Sequence, residues 1–216
     1  MPQYNVLPLF PSALYSSKVE ENMDDYFEII KSKYEYTKAV PTPYSSYISK
    51  SLNVLNDIPD LKAIIMRYFN HFKNDVLKYH TTEFSVTTSW ATKTVKGTMS
   101  ELHSHTNCMY SGVLYLSDHL NASPIEFINN YKAAIKVNDP AEWNIFNSQS
   151  WKVVPEKNLL IIFPSTLHHR IIYQEADVER YSLAFNIMPI GEIGGGDSSV
   201  NLSLSSVSNQ RITNNS

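Results

Sequence analysis

Glu101-Leu102-His103-Ser104-His105, followed at once by Thr106-Asn107-Cys108-Met109-Tyr110-Ser111-Gly112-Val113-Leu114-Tyr115-Leu116, is the stretch on which the reading of this chain turns. Side chains two residues apart leave an extended segment by the same face, so His103 and His105 project together and can grip one metal ion. Ser111 to Leu116 has the β-branched and aromatic character of a buried strand, which sets the histidine pair at the mouth of a sheet.

Working outward, a second apolar run, Leu159-Leu160-Ile161-Ile162-Phe163, ends in Pro164-Ser165-Thr166-Leu167-His168-His169. Pro164 and Ser165 bend the chain there, and only one of the two histidines can point inwards on an extended backbone. Spacing alone leaves His168 and His169 both open. Arg180-Tyr181-Ser182 follows, at the start of an alternating stretch. Arg180, Ser182, Ala184 and Asn186 share one of its faces, and Tyr181, Leu183 and Phe185 share the other. An early His-x-His, a late His on a separate strand and an Arg-x-Ser just downstream suggest a metal centre with an anchored carboxylate cosubstrate. Neutral imidazole suits Fe(II), Zn(II) and copper, and a facial set of three such ligands leaves positions open for cosubstrate and oxygen.

Upstream of the motif, Pro2, Pro8 and Pro11 with isolated apolars read as an extended lead-in strand over residues 1–16. From Ser17 to Lys33 the apolar residues Val19, Met23, Tyr26, Phe27, Ile29 and Ile30 approach helical spacing, with acids early and lysines late, as the helix dipole favours. Pro41 and Pro43 enforce a loop. Asp57-Ile58-Pro59-Asp60 then opens a second helix, lined on one side by Leu61, Ile64, Ile65, Tyr68, Phe69, Phe72 and Val76. From Glu83 the period shifts towards 2, up to a turn at Lys96-Gly97, and all later elements read as strands. Asn121 to Trp151 shows little periodicity and reads as a long excursion near the site mouth, with Trp143, Trp151 and Tyr131 as candidates for a substrate cleft.

The 216 residues suit one well-buried domain, expected over residues 1–193, with a Gly/Ser/Asn-rich tail over 194–216. The alternation of Val200, Leu202 and Leu204 leaves room there for an edge strand, or for one that pairs across a homodimer. A net charge of -3, with no dense Lys/Arg cluster, argues against generic nucleic-acid binding. No apolar run approaches a membrane span and no signal segment opens the chain, so no membrane partner and a soluble, cytoplasmic location are expected. The single Cys108 precludes an intrachain disulfide and agrees with a reducing compartment.

These residues resemble the 2-oxoglutarate/Fe(II)-dependent oxygenases, and more closely a phage and bacterial subgroup related to the prolyl-hydroxylase type. The resemblance runs through Trp90, Gly97, His103-Ser104-His105, Ser111 to Leu116, Leu159 to His169 and Arg180 to Asn186. It implies a mainly β fold, a double-stranded β-helix or cupin-like jelly roll with metal ligands at one open end, supported by helices from residues 1–80. It implies Fe(II) as cofactor and 2-oxoglutarate as cosubstrate, with His103 and His169 as metal ligands. It also implies a salt bridge from Arg180 to the far carboxylate of 2-oxoglutarate and a hydrogen bond from Ser182. Tyr115 stands in the place of a tyrosine that often helps hold the same group. The family spacing favours His169 over His168 as the distal ligand.

The departure is at His105, where the wider superfamily carries Asp or Glu and the subgroup is similar to this chain in having His-x-His. Three neutral imidazoles leave the Fe(II) charge to be balanced by the 2-oxoglutarate dianion. Metal binding is then expected to weaken as pH falls through the imidazole range. A small residue at 105 would open a position for halide; His fills it, so halogenation is not expected. The alternative is that His105 stays off the metal and that Glu101 or a water completes its sphere. The activity implied is a dioxygenase that uses molecular oxygen to hydroxylate an unidentified small molecule or protein side chain. Two rivals remain: a cupin-type three-histidine metal protein that does not use 2-oxoglutarate, and a non-catalytic jelly-roll binding or virion-associated module. For the first, Gly97 and His103-x-His105 match the start of the cupin motif, but its later glutamate is absent.

Overall fold

The computed structural model describes residues 2–117, 121–130 and 140–204. Its first half holds β1 (Tyr15–Lys18), α1 (Asp24–Lys33), β2 (Tyr36–Lys38), β3 (Tyr47–Ser49), α2 (Val54–Asp57), α3 (Pro59–His71) and β4 (Glu83–Thr94). The second half adds β5 (Tyr110–Tyr115), β6 (Ile125–Ile128), β7 (Ser150–Val153), β8 (Leu159–Pro164), β9 (His169–Ile171), β10 (Arg180–Ile193) and β11 (Val200–Leu202). The fold is mainly β, with antiparallel ladders in two sheets. The larger has the order β1-β8-β5-β10-β4-β3-β2, with β11 attached to β10; the smaller is β7-β6-β9.

The large sheet is buried on both faces, and strand parity decides which residue serves which face. On the outer face Ala91, Leu114, Leu160, Ile162, Leu183 and Phe185 pack against Ile30 of α1 and Leu61, Ile65 and Phe69 of α3 in the main core. On the inner face Tyr115, Ile161 and Phe163 meet Ile125 and Phe127 of the small sheet in a second core. β8 is buried along almost its whole length, consistent with an uninterrupted apolar run covered on two sides. Gly112 is required by this packing: a Cβ there would stand 2.2 Å from the Phe185 ring and 2.9 Å from the Ile161 carbonyl oxygen.

β4 and β10 carry the longest ladder, and it contains one irregularity. Asn186 pairs with Thr88 but Ile187 pairs with Val86, so Thr87 is an extra residue bulged out of register. The bulge resets parity, which is why Val86 and Ala91, an odd number of residues apart, both reach the outer core.

Several expectations need correction. Only Tyr15–Lys18 of the lead-in segment pairs in a sheet, against β8, and this pairing delays α1 to Asp24 instead of Ser17. The segment around Pro41 and Pro43 is flanked by two short strands, β2 and β3, which extend the large sheet beside β4. The 121–151 segment holds β6, the middle strand of the small sheet, stabilised by Glu126 opposite Lys152 and Arg170. Arg170 donates to Glu126 at 2.9 and 2.7 Å, and Ser150 at 3.1 Å. Burial pushes the Glu126 carboxyl up, but these partners outweigh it and hold it below its ordinary range. The strand expected at Val200 pairs with β10 of its own chain. Among the described residues, no helix is long and apolar enough to cross a membrane.

Candidate functional site

His103 and His169 face each other across the junction of the two sheets. Each backbone N–H donates to the other's carbonyl, at 3.0 Å and 2.8 Å, a reciprocal pair that fixes the two side chains side by side. His105 is tied separately: its N–H donates to the Ser165 carbonyl at 2.9 Å, and the Ser165 N–H to the Met109 carbonyl at 3.0 Å. The Pro164-Ser165 bend thus anchors the His-x-His segment as well as redirecting β8. Ring centroids of the three histidines lie 4.4–5.2 Å apart. One nitrogen from each falls within 4.8 Å of the others, the one group of this kind among the described residues able to hold a metal ion.

Second contacts orient the rings. Nδ1 of His103 lies 2.7 Å from the Glu101 carbonyl oxygen and Nδ1 of His169 lies 2.8 Å from the Leu167 carbonyl oxygen, each two residues back along the chain. A carbonyl accepts only, so each Nδ1 carries the proton and each Nε2 is left with a free lone pair, the tautomer a metal requires. His105 is held by packing instead, its ring 5.6 Å from that of Trp90. Burial, and then the His103 charge, push the His105 imidazole down to about 4. Burial is also the main cause that pushes His169 down, to about 3, against the raising effect of its bond to Leu167. Both are neutral near pH 7, and protons compete for them only well below the ordinary imidazole range.

The same cavity, about 380 Å³, is lined by Tyr115, Arg180 and Ser182. Arg180 is 1% exposed. It donates from Nη1 to the Ser123 carbonyl at 2.6 Å and from Nη2 to Thr94 Oγ1 at 3.0 Å, and its Nε has no partner. Its carbon Cζ lies 5.5 Å from the centroid of the buried Tyr115 ring. Among the described residues no carboxylate pairs with it; Glu179 turns to Lys93 instead. A buried cation without counter-charge is costly, and this one faces a cavity large enough for a small anion.

His168 points away, with Nδ1 2.7 Å from Asn130 Nδ2. Glu101 is exposed and contributes its carbonyl to His103, while its carboxylate lies outside the histidine cluster. Trp143 and Trp151 line a separate, open depression with Ser148 to Lys152, away from the lining of the main cavity, and Tyr131 lies outside the described residues. Sequence reading missed the wall formed by Ala39, Ser46, Ile48 and Leu52, and the polar residues Thr88, Ser111 and Asn186. The last three were accessible in principle, since parity puts Asn186 on the Arg180 face.

Residues 88–186 match a family model described as "Putative 2OG-Fe(II) oxygenase". No curated protein matches the chain in sequence. Among solved structures, the chain is similar to an oxidoreductase of the 2OG-Fe(II) oxygenase family from Burkholderia pseudomallei (TM-score 0.57, 11% identity, 76% of this chain and 77% of that one). It is also similar to a prolyl-4-hydroxylase from Pseudomonas putida (TM-score 0.56, 14% identity, 83% and 94%). A third is HygX from Streptomyces hygroscopicus, solved with nickel, 2-oxoglutarate and hygromycin B (TM-score 0.56, 11% identity, 82% and 83%). At such identities these likenesses speak to fold. The segment that carries most of β4, the histidines and Arg180 is thus similar to the 2OG-Fe(II) oxygenase family model over residues 88–186, and the solved structures agree with it in fold.

Proposed function

We propose that this protein is an Fe(II)- and 2-oxoglutarate-dependent dioxygenase on a double-stranded β-helix, hydroxylating a C–H bond of its substrate. His103, His105 and His169 would hold the iron. Arg180 would pair with the far carboxylate of 2-oxoglutarate, with Ser182 and Tyr115 beside it. The observation that carries the reading is Arg180, a buried guanidinium with an unpartnered Nε in the cavity of a three-histidine cluster. A cupin-type metal site without a diacid cosubstrate has no use for that charge.

The donor set fits the metal: three imidazoles, two of them with Nδ1 engaged by a carbonyl. Iron bound there supplies the oxidising chemistry, in which one atom of O2 leaves in succinate as 2-oxoglutarate loses CO2 and the other becomes the substrate hydroxyl. The chain's own contributions are positional and electrostatic. Arg180 fixes the cosubstrate's orientation through a charge-assisted hydrogen bond. Val113, Ile125 and Phe163 keep this part of the cavity apolar and limit water. Because the histidines bring no negative charge, the cosubstrate dianion does most of the charge balancing.

The test is an anaerobic titration of Fe(II)-loaded protein with 2-oxoglutarate, following the weak visible metal-to-ligand charge-transfer band, with Arg180→Ala and His105→Ala alongside. The expected result is a band in the wild type that is lost or strongly weakened in both variants. Bound iron without a band would instead select the cupin-type reading, and no bound iron the non-catalytic module.

A further inference from the structure

The ladder between β10 and β4 presents three full rungs to the cavity, Ser182 with Thr92, Ala184 with Trp90, and Asn186 with Thr88, and beyond them Arg180, whose partner Thr94 lies buried off the cavity lining. At about 3.3 Å per residue, Arg180 and Asn186 stand roughly 20 Å apart along the strand. A five-carbon diacid anchored at Arg180 does not span that length, so the Asn186 end is free for another molecule.

That end is built and polar. Ser111 Oγ donates to Asn186 Oδ1 at 2.8 Å, Asn186 Nδ2 donates to Thr88 Oγ1 at 3.1 Å, and Ser111 shares a 2.9 Å hydrogen bond with Ser165, the residue whose carbonyl holds the His105 backbone. Ser111 and Ser165 are buried, so the amide is held by a rigid base. A primary amide has two donors and two acceptor sites. One donor and one acceptor are spent here, leaving one of each, and Asn186 is half-buried on the cavity wall. Trp90, one rung nearer the histidines, offers an apolar plane beside them. Apart from the histidines, Arg180 is the one charged residue lining the cavity among the described residues. A second charged group buried here would lack a partner and is disfavoured.

We infer that Asn186, on its Ser111–Thr88 base, is the specificity-determining residue for the substrate, and that it recognises an uncharged carboxamide presented next to the carbon to be oxidised. A carboxamide matches the remaining donor and acceptor in a two-point contact, whereas a carboxylate or an ammonium matches one and brings an unpaired charge. The inference rests on the oxygenase reading for its meaning but is tested separately from it.

The experiment is ligand-observed saturation-transfer NMR on the full chain, loaded with Fe(II) and 2-oxoglutarate under anaerobic conditions. The probes are isovaleramide, isovalerate and isopentylamine, which present the same branched apolar group with a neutral carboxamide, an anionic carboxylate and a cationic ammonium. Saturation of the neutral probe is expected to exceed that of either charged probe by several-fold. Asn186→Leu should abolish the preference, and Asn186→Asp, nearly isosteric, should move it to the cationic isopentylamine. The charge-transfer band with 2-oxoglutarate should persist in both variants, since residue 186 lies beyond the cosubstrate's reach. A capped peptide with an internal glutamine separates the sources: saturation at its side-chain amide assigns a polypeptide substrate, its absence a small molecule. Equal saturation of the neutral and anionic probes in the wild type, or an unchanged preference in well-folded Asn186→Asp, would overturn the inference. Probe discrimination without any charge-transfer band would keep the subsite and remove the oxygenase reading.

Discussion

The two faces of the large sheet are made by the same strands and are used in opposite ways. Outward, β4, β5, β8 and β10 send Ala91, Leu114, Leu160 and Leu183 into an apolar core beneath the helices. Inward, residues one step along the same strands put Thr92, Tyr115 and Ser182 on the cavity, with Arg180 and three histidines around it. The larger apolar core lies on one face, and the candidate site beside a smaller core on the other. Neighbours in sequence such as Ser182 and Leu183 should therefore respond to substitution in different observables.

The widest separation is expected at Arg180. Arg180→Met removes a buried, incompletely partnered cation and keeps most of the volume, so unfolding in denaturant should show stability unchanged or raised, as when buried charges are replaced by apolar groups. Cosubstrate affinity should fall by about 2–5 kcal/mol, as for truncating one partner of a buried charge pair. A large loss of stability would mean that the guanidinium is a structural strut for Ser123 and Thr94. Leu183→Ala should do the reverse, costing about 2–5 kcal/mol of stability while stoichiometric metal binding survives; loss of metal at full folding would break the division between faces. Gly112→Ala tests the seam between them. The added methyl has no room beside Phe185, and overpacking of this kind costs about 1–3 kcal/mol, measurable as a lowered denaturation midpoint.

The gentlest effect is that of pH. His105 and His169 have folded-state values of about 4 and about 3, below the ordinary 6.5 that they regain on unfolding. The unfolded chain therefore binds more protons, and the metal-free protein should lose stability as pH falls from about 6.5 towards 4. Above 6.5 their contribution should be flat. Thermal denaturation across this range, with and without Zn(II), checks the sign: the zinc-induced gain should begin to shrink only as pH nears about 4, where protons compete for His105.

Much of this division was legible in the chain. Period-2 alternation over Arg180 to Asn186 put Arg180 and Ser182 on one face and Leu183 on the other, and His-x-His with a distal His after an apolar strand pointed to residues that do meet in space. What stayed hidden depended on distant pairing. β2 and β3 are three residues each: β3 exists because β4 offers it an edge, and β2 because β3 then offers the next. β6 has only Ile125 to Ile128 to announce it, and its partners lie far along the chain at β7 and β9. The absence of a carboxylate beside Arg180 could not be read locally either, because Glu179, its neighbour in sequence, is turned to the opposite face by the same parity.

The extra residue at Thr87 acts on β4 as a frameshift acts on a reading frame. Before it, Phe84 and Val86 are read by the helices; after it, Thr88, Trp90, Thr92 and Thr94 are read by the cavity side of the ladder. Deleting Thr87 itself would make the ladder regular and leave every pair in place, whereas a deletion elsewhere between residues 83 and 94 would exchange the audience of every residue on one side of it. Away from the bulge, length changes in this strand are therefore tolerable only as compensated pairs.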